Sequence, residues 1–354
     1  MSMYHCHLSY VPDPDRSRPA RVYVHLPAVD DHHADELDAM VEASDGSWHA
    51  DRYLPDDVVT SVMIAPVDAS FVATYDPPGP VDTRARFLAL RQHALPGDHA
   101  LEGVTARIKG PQAMCEPEWD DLSPKPQAWE RDILADRTVW HHTPADTPVG
   151  LLVLFDGRQW VRTPLPGALT RAGLPPLEIL AIDTGQGDDR VATLVPNLEL
   201  SRWLKRDLLQ ATPWTPSETI IAGHSLGGLA ALSLALGEAP IADRVLVQSG
   251  SFWYPAWGGS PGGDIATTLN DPHSIAHRRA KDVRVHLSVG LGEADMVPHT
   301  MAVASALTQC GATTTVEVSR HAHEMTGWMG ALTRGLRALM RERAPLQSAL
   351  LFRE

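Results

Sequence analysis

The residue in this chain whose surroundings most clearly suggest chemistry is a serine flanked by glycines. Ser225 lies in Gly223-His224-Ser225-Leu226-Gly227, after the apolar run 219–222 and before a small-residue helical segment. Small neighbours allow a tight strand-to-helix turn, which exposes the hydroxyl at the edge of a sheet and points the helix N-terminus at a developing oxyanion. The pattern predicts that Ser225 is a nucleophile.

A serine hydroxyl is a weak nucleophile until a base accepts its proton, so a histidine must accompany it. In enzymes whose nucleophilic serine lies on such a strand-to-helix turn, an acid and then the histidine follow the serine along the chain. The last apolar run of the chain is followed by His321 and His323, and an earlier run is followed by Glu293 and Asp295. One carboxylate would orient the imidazole and stabilise its cation. Spacing alone does not choose within either pair.

Acyl transfer also needs N–H donors for the oxyanion of its tetrahedral intermediate. Leu226, directly after the serine, supplies one of them. The loop after the apolar run 150–155 supplies the second, from the backbone of Gly157 or Arg158.

The elements that position these residues alternate between strands and helices. Short runs that are apolar on both faces are typical of buried strands in a parallel sheet, and their alternation with helical segments indicates an α/β layer fold. The predicted strands are 150–155, 177–183, 219–223, 244–249, 283–290 and 313–318, and the predicted helices are 198–210, 226–236 and 300–308.

The N-terminal part of the chain has a different pattern. Residues 21–26 and 58–64 alternate or are rich in β-branched side chains, and Trp48 lies between turn signals. No helical pattern competes over the first 75 residues, so we predict a small β-sandwich there.

A chain of 354 residues is long enough for two domains. We predict an N-terminal β-sandwich domain at 1–110, a Pro-rich linker at 111–126 and an α/β catalytic domain at 127–345.

Composition excludes several classes of partner. The formal net charge of -14 disfavours nucleic acid and anionic membranes, and no apolar run approaches the ~20 residues that span a bilayer. The N-terminal residues lack the basic and apolar regions of a secretory signal, and the three cysteines form no CxxC pair. We therefore expect a cytoplasmic protein that binds neither nucleic acid nor membranes.

Several stretches of the C-terminal two-thirds resemble the enterochelin (enterobactin) esterase family of the α/β-hydrolase superfamily. They are 153–160, 181–183 with Arg190 and Asn197, 222–232, 248–254, and His323 with Trp328. Residues 22–24, 31–33 and Trp48 resemble, more faintly, the β-sandwich domain of the family.

The resemblance implies roles for the residues left open above. His323 stands five residues before Trp328, which is the spacing of the family's catalytic histidine, so it is preferred to His321. The same alignment places the acid at Glu293, with Asp295 as the alternative. The implied fold is an α/β-hydrolase preceded by a small β-sandwich.

It also implies a reaction. Members of the family hydrolyse the ester bonds of a cyclic tri-serine catecholate siderophore, often with iron bound, and so release the metal inside the cell. The implied substrate is an enterobactin-like siderophore in its ferric form. No cofactor or protein-bound metal is expected, because the iron belongs to the substrate.

A ferric tris-catecholate is bulky, aromatic and trianionic, so it needs flat apolar surfaces and cations. The expected substrate contacts are Trp160, Arg190, Trp253, Tyr254 and Trp328, with Trp257, Arg158 and Arg162 in the same loops. The chain departs from the family at Thr193, where an acidic residue is usual, and in its Gly-rich stretch 257–263.

Two other functions stay open on the sequence. One is a general carboxylesterase of the same superfamily that acts on feruloyl or small acyl esters. The other is a non-catalytic siderophore-binding homologue, which a complete set of serine, acid and histidine disfavours. The oligomeric state is left open.

Overall fold

The computed structural model describes residues 2–30, 37–77, 79–97, 101, 103–123, 128–196, 198–209, 212–238, 240–255 and 259–341. The sequence predictions that involve residues 31–33, Asn197, Trp257, the end of the linker and the end of the catalytic domain fall wholly or partly outside these residues. The chain folds as two compact units. The first comprises Met1–Cys115 and Arg320–Gly327, and the second comprises Glu116–Ser319 and Trp328–Glu354.

The described strands are β1 (Met3–Tyr10), β2 (Arg21–His25), β3 (Val41–Glu42), β4 (Trp48–Pro55), β5 (Val59–Val67), β6 (Ala106–Lys109), β7 (Glu130–Leu134), β8 (Arg137–His142), β9 (Leu151–Leu154), β10 (Glu178–Ile182), β11 (Thr219–His224), β12 (Arg244–Gln248), β13 (Arg284–Gly290) and β14 (Thr313–Ser319).

The described helices are α1 (Ala69–Tyr75), α2 (Thr83–Gln92), α3 (Gly157–Trp160), α4 (Leu165–Arg171), α5 (Gly187–Leu194), α6 (Leu198–Trp203), α7 (Leu226–Ala235), α8 (Gly263–Asn270), α9 (Ile275–Ala280), α10 (Met296–Gln309) and α11 (Met325–Met340). A π-helical turn, Leu204–Leu208, follows α6, and short 3-10 helices include Leu291–Glu293 after β13.

The first unit contains two three-stranded antiparallel sheets in its described residues, with strand orders β1-β4-β3 and β2-β5-β6. Their inward side chains share one apolar core, to which Val24 and Val62 contribute from one sheet and Trp48 and Leu54 from the other. The N-terminal region therefore contains small antiparallel sheets, in agreement with the predicted fold class.

The first unit also contains α1 and α2, which the sequence did not predict. Asp68 and Asp82 cap these helices, because their carboxylates accept the N–H groups of Phe71 and Ala85 at 2.8 and 2.9 Å. Each helix is short and buries few side chains, so neither leaves a readable helical period in the sequence.

In the described part of the second unit, one eight-stranded sheet has the order β14-β13-β12-β11-β9-β10-β8-β7. Strands β9 to β14 run parallel, and β8 and β7 add an antiparallel edge. The expected α/β-hydrolase fold is confirmed. The antiparallel edge escaped prediction because β7 has no buried residue and therefore no apolar pattern.

Residues 116–119 lie within the predicted linker but are built into the second unit. Trp119 is fully buried, and the buried carboxylate of Glu118 accepts the hydroxyl of Thr333 at 2.8 Å. Arg334 forms an ion pair with the buried Glu116. These residues are therefore an anchored part of the hydrolase unit.

Among the described helices, none combines the length and the apolar character needed to cross a bilayer.

Candidate active site

Ser225 occupies the turn between β11 and α7, where its backbone has φ 55° and ψ -124°. A non-glycine residue with positive φ is strained, and such strain is characteristic of functional turns. The turn also needs glycine at 223, because a Cβ there would lie 2.3 Å from the carbonyl oxygen of Gly227. The Ser225 side chain is partly exposed, and its Oγ lies 3.2 Å from the Oγ of Ser251.

The predicted oxyanion donors begin two helices. Leu226 is the first residue of α7 and Gly157 the first of α3, so their N–H groups belong to the helix-start donors that have no intrahelical acceptor. Strands β9 and β11 are parallel neighbours, and Phe155 N donates to Ala222 O at 3.1 Å just before the two turns. The two helix starts therefore lie at the same edge of the sheet.

We predicted the backbone N–H of Arg158 as an oxyanion donor, and its side chain has a separate partner. Its Nη2 donates to the carboxylate of Asp183 at 2.8 Å, and 48% of the side chain is exposed. The cation is therefore accessible to solvent and partly compensated.

A buried aspartate that the sequence analysis missed lies directly before α3. Asp156 accepts Arg190 Nε at 2.6 Å and Nη2 at 2.8 Å on its two oxygens, and the Thr184 hydroxyl at 2.6 Å. His224 Nε2, one residue before the serine, lies 3.4 Å from the same carboxylate. Burial raises the pKa of Asp156, but the Arg190 hydrogen bonds and the charges of His224 and Arg190 outweigh it and lower the pKa below its usual range.

This arrangement changes the interpretation of Arg190. We predicted it as a substrate contact, but its guanidinium makes a bidentate pair with the buried Asp156. It supports the loop before Gly157. The signal available in the sequence was Asp156-Gly157 directly after a strand, which we used only for its backbone.

The two candidate acids differ in their surroundings. Glu293 is buried, and its Oε1 accepts the Ser249 hydroxyl at 2.6 Å and the Gly290 N–H at 2.7 Å. Asp295 is exposed at the start of α10. Of the two candidate acids, Glu293 is therefore the one whose carboxylate is fixed by hydrogen bonds.

Trp328 belongs to the interior of the second unit. Its indole stacks on His224, with ring centroids 4.1 Å apart at 18°, and its Nε1 donates to Ser249 Oγ at 2.9 Å. Ser249 in turn donates to Glu293. Trp328 therefore contacts the residue before Ser225 and is linked through the Ser249 hydroxyl to the carboxylate of Glu293.

The remaining predicted substrate contacts divide by exposure. Trp160 is fully buried and lies edge-on to His224 at 6.1 Å, so it presents no surface for stacking. Trp328, at 6% exposure, presents little. These placements correct the prediction, since an aromatic side chain in a loop sequence does not reveal whether it points inward. Trp253 and Tyr254, in the turn after β12, are partly exposed.

The candidate histidines lie on Arg320–Gly327, the segment of the first unit that follows β14 in the chain. His321 is buried, and its Nδ1 lies 2.8 Å from Ala322 O. His323 is exposed between the buried residues Ala322 and Glu324. Of the two rings, that of His323 is the one that solvent reaches.

Across the described part of the chain, no cluster of histidine, cysteine, aspartate and glutamate side chains has the geometry to hold a metal ion.

Comparisons with known proteins agree with this architecture. Residues 198–339 match the family model described as putative esterase. The chain is 26% identical to the iron(III) enterobactin esterase of Escherichia coli O6:H1 over 345 residues, which covers 89% of this chain and 85% of that protein. It is 31% identical to the iron(III) enterobactin esterase of Dickeya dadantii over 235 residues, covering 60% and 54% of the two chains.

Solved structures show the same fold. A crystal structure of the enterobactin esterase from Shigella flexneri in the presence of enterobactin matches with a TM-score of 0.79, covering 95% of this chain and 93% of that one at 23% identity. The resemblance inferred from the sequence motifs is confirmed. The chain is a carboxylic ester hydrolase that is related in sequence to the enterobactin esterases and shares their α/β-hydrolase fold.

Proposed function

We propose that this chain hydrolyses the ester bonds of a tri-serine catecholate siderophore of the enterobactin type with iron bound. Ser225 acts as nucleophile, His323 as base and Glu293 as the acid that orients the histidine. The observation that carries the chemistry is the positive-φ turn that presents Ser225 between β11 and α7. The relation to proteins named iron(III) enterobactin esterase and iron(III) salmochelin esterase supports the substrate class.

In the first half of the reaction the Ser225 Oγ attacks the carbonyl carbon of a serine ester while His323 accepts the hydroxyl proton. The oxyanion lies against the N–H of Leu226 and that of Gly157 or Arg158. The C–O bond breaks, and His323 gives its proton to the departing serine hydroxyl. Water then attacks the acyl-enzyme by the same route, with His323 again as base, and releases the carboxylic acid.

Two placements support the choice within each pair. Glu293 is buried and fixed by Ser249 and Gly290, as a group that must orient an imidazole needs to be, whereas Asp295 is exposed. His323 is exposed, as a base that must exchange protons with substrate and water needs to be, whereas His321 is buried.

The catecholate contacts that we retain are those with accessible surface. Trp253 and Tyr254 provide partly exposed aromatic faces, and Arg158 provides a half-exposed cation. Iron enters as part of the substrate and takes no part in the ester chemistry. The cytoplasmic location stays a prediction.

Turnover of a ferric catecholate trilactone and of p-nitrophenyl butyrate tests the proposal, with products of the first followed by chromatography. We expect hydrolysis of the trilactone, and its loss by on the order of 10³-fold or more in Ser225→Ala. Ser305→Ala, on the exposed side of α10, is the matched control and should be unchanged.

Activity on the butyrate ester alone would replace the siderophore substrate with a general carboxylesterase. An unchanged trilactone product profile in Ser225→Ala would reject the mechanism.

A further inference from the structure

The segment that carries His323 is attached to β5 of the first unit on both sides of that histidine. Before it, the Arg320 carbonyl accepts the N–H of Val59 at 3.1 Å, and Arg320 Nε lies 2.7 Å from the carboxylate of Asp57. After it, the Glu324 carboxylate makes two further bonds to the same strand. The exposed ring of His323 thus lies between two fixed points.

Glu324 is buried with both carboxylate oxygens engaged. Oε1 accepts the hydroxyl of Thr60 at 2.8 Å, and Oε2 accepts the backbone N–H of Ser61 at 3.0 Å. Burial raises the pKa of Glu324, and these hydrogen bonds oppose that rise. A buried carboxylate of this kind is costly unless it is hydrogen-bonded, so the backbone around it is held in one position.

The edge of β5 explains why these donors are available. Strand β6 pairs with residues 59–62 on one edge of β5, whereas β2 pairs on the other edge only with residues 63–67. The N–H groups of Val59 and Ser61 therefore lie past the end of β2, where that strand offers them no acceptor. Buried backbone donors need acceptors, and the Arg320 carbonyl and the Glu324 carboxylate supply them.

We infer that the first residues of β5 position the catalytic histidine, with Glu324 as the principal positioning residue. The inference rests on the proposed role of His323 as base. In the proposed mechanism Glu293 orients the imidazole ring, but the position from which the ring projects depends on the backbone that β5 holds at Arg320 and Glu324. The N-terminal unit thereby contributes to the rate of the chemical step, apart from any contact with the substrate.

Kinetics of the full-length chain with Glu324→Gln test this inference. A glutamine keeps the size and the acceptor for Thr60 but places an NH2 group against the N–H of Ser61. A small displacement of a catalytic group costs up to about 10²-fold in rate. We therefore expect kcat to fall by about 10-fold or more, with KM unchanged within about 2-fold. Glu42→Gln, an exposed carboxylate paired with Arg18 in the same unit, is the matched control.

A second pair of variants separates positioning from folding. Thr60→Val removes the hydroxyl with little change in size and should lower kcat in the same way but less. Thr60→Ser keeps the hydroxyl and should keep the wild-type kcat. A purely structural role predicts lower melting temperatures with kcat retained in the folded fraction. Wild-type kcat in Glu324→Gln and Thr60→Val would overturn the inference.

His323→Ala and Ser225→Ala in the same assay separate the two levels of the hypothesis. If both lose turnover while Glu324→Gln keeps it, only the positioning inference fails. If His323→Ala keeps turnover, the proposed catalytic set itself is wrong.

Discussion

Ser225 is held by its immediate neighbours in the chain, whereas the segment around His323 is held by β5, which is distant from it in the sequence. The serine owes its conformation to β11, α7 and the glycines beside it. The glutamate next to His323 binds Thr60, 264 positions away. The proposed nucleophile is thus specified by a local turn, whereas the proposed base depends on long-range contacts.

The largest expected effect comes from the two histidines of the segment Arg320–Gly327. His323→Ala should lower kcat by on the order of 10³-fold or more, because it removes the proposed base for the Ser225 proton. His321→Ala should keep most of the kcat per folded molecule, although its buried ring makes some loss of stability expected. Single-turnover kinetics and thermal melting of both variants check this. A more severe kinetic loss in His321→Ala would exchange their roles.

The next effect tests how far the serine region depends on its buried ion pair. Arg190→Met should destabilise the second unit by about 3 kcal/mol at neutral pH, because it leaves the Asp156 carboxylate buried without its cation. In the wild type the lowered pKa of Asp156 contributes stability above its ordinary value of 3.8, and this stability is lost as the pH falls through the folded-state pKa.

The variant should therefore lose its disadvantage as the pH is lowered towards 4, since protonation then relieves the unpaired charge. Urea unfolding midpoints at several pH values measure this. Arg206→Met, which breaks an exposed pair with Asp207, is the control and should change little. A pH-independent loss in Arg190→Met would show that packing, and not charge, is what Arg190 contributes.

The two candidate acids should differ by about 10²-fold. Glu293→Ala should lower kcat by that factor, because the imidazole loses its orienting carboxylate, and catalytic acids cost less on removal than serine or histidine. Asp295→Ala should leave kcat within about 2-fold, because its side chain is exposed. Steady-state kinetics decides, and small, equal effects would mean that a Ser-His dyad performs the reaction.

The smallest effect concerns the indole that connects His224 with Ser249. Trp328→Phe keeps the ring stacked on His224 but removes the N–H to Ser249, so we expect about a 10-fold lower kcat. Ser249→Ala should act similarly, and the double variant should be no worse than the more impaired single one. Trp214→Phe, which removes an indole bond to Glu178 elsewhere in the unit, is the control. Additive losses would mean that the two residues act independently.

Much of the second unit was predictable because its strands are buried on both faces. Runs such as 150–155 and 283–290 became β9 and β13, and the elbow followed from five consecutive residues. The elements that escaped prediction, such as β7 and α1, bury few side chains and therefore carry no period that can be read.

The sequence could propose candidate site residues where residue type alone limits the role. Serine, histidine and carboxylate candidates could be found by chain order. Trp160, Trp328 and Arg190 were assigned to the substrate because their types suit it, and the structure places all three in supporting positions. Their partners, His224, Ser249 and Asp156, are distant in sequence, and no local pattern announces such pairs.

The attachment of Arg320–Gly327 to the first unit has a consequence for the order of folding. Domains generally fold as units during synthesis, with the N-terminal one first. Here β5 is made early, yet Arg320 and Glu324, which accept the N–H groups of Val59 and Ser61, are made only after β14. The N-terminal unit therefore remains incomplete until all the strands of the second unit have been synthesised, and the two units mature together.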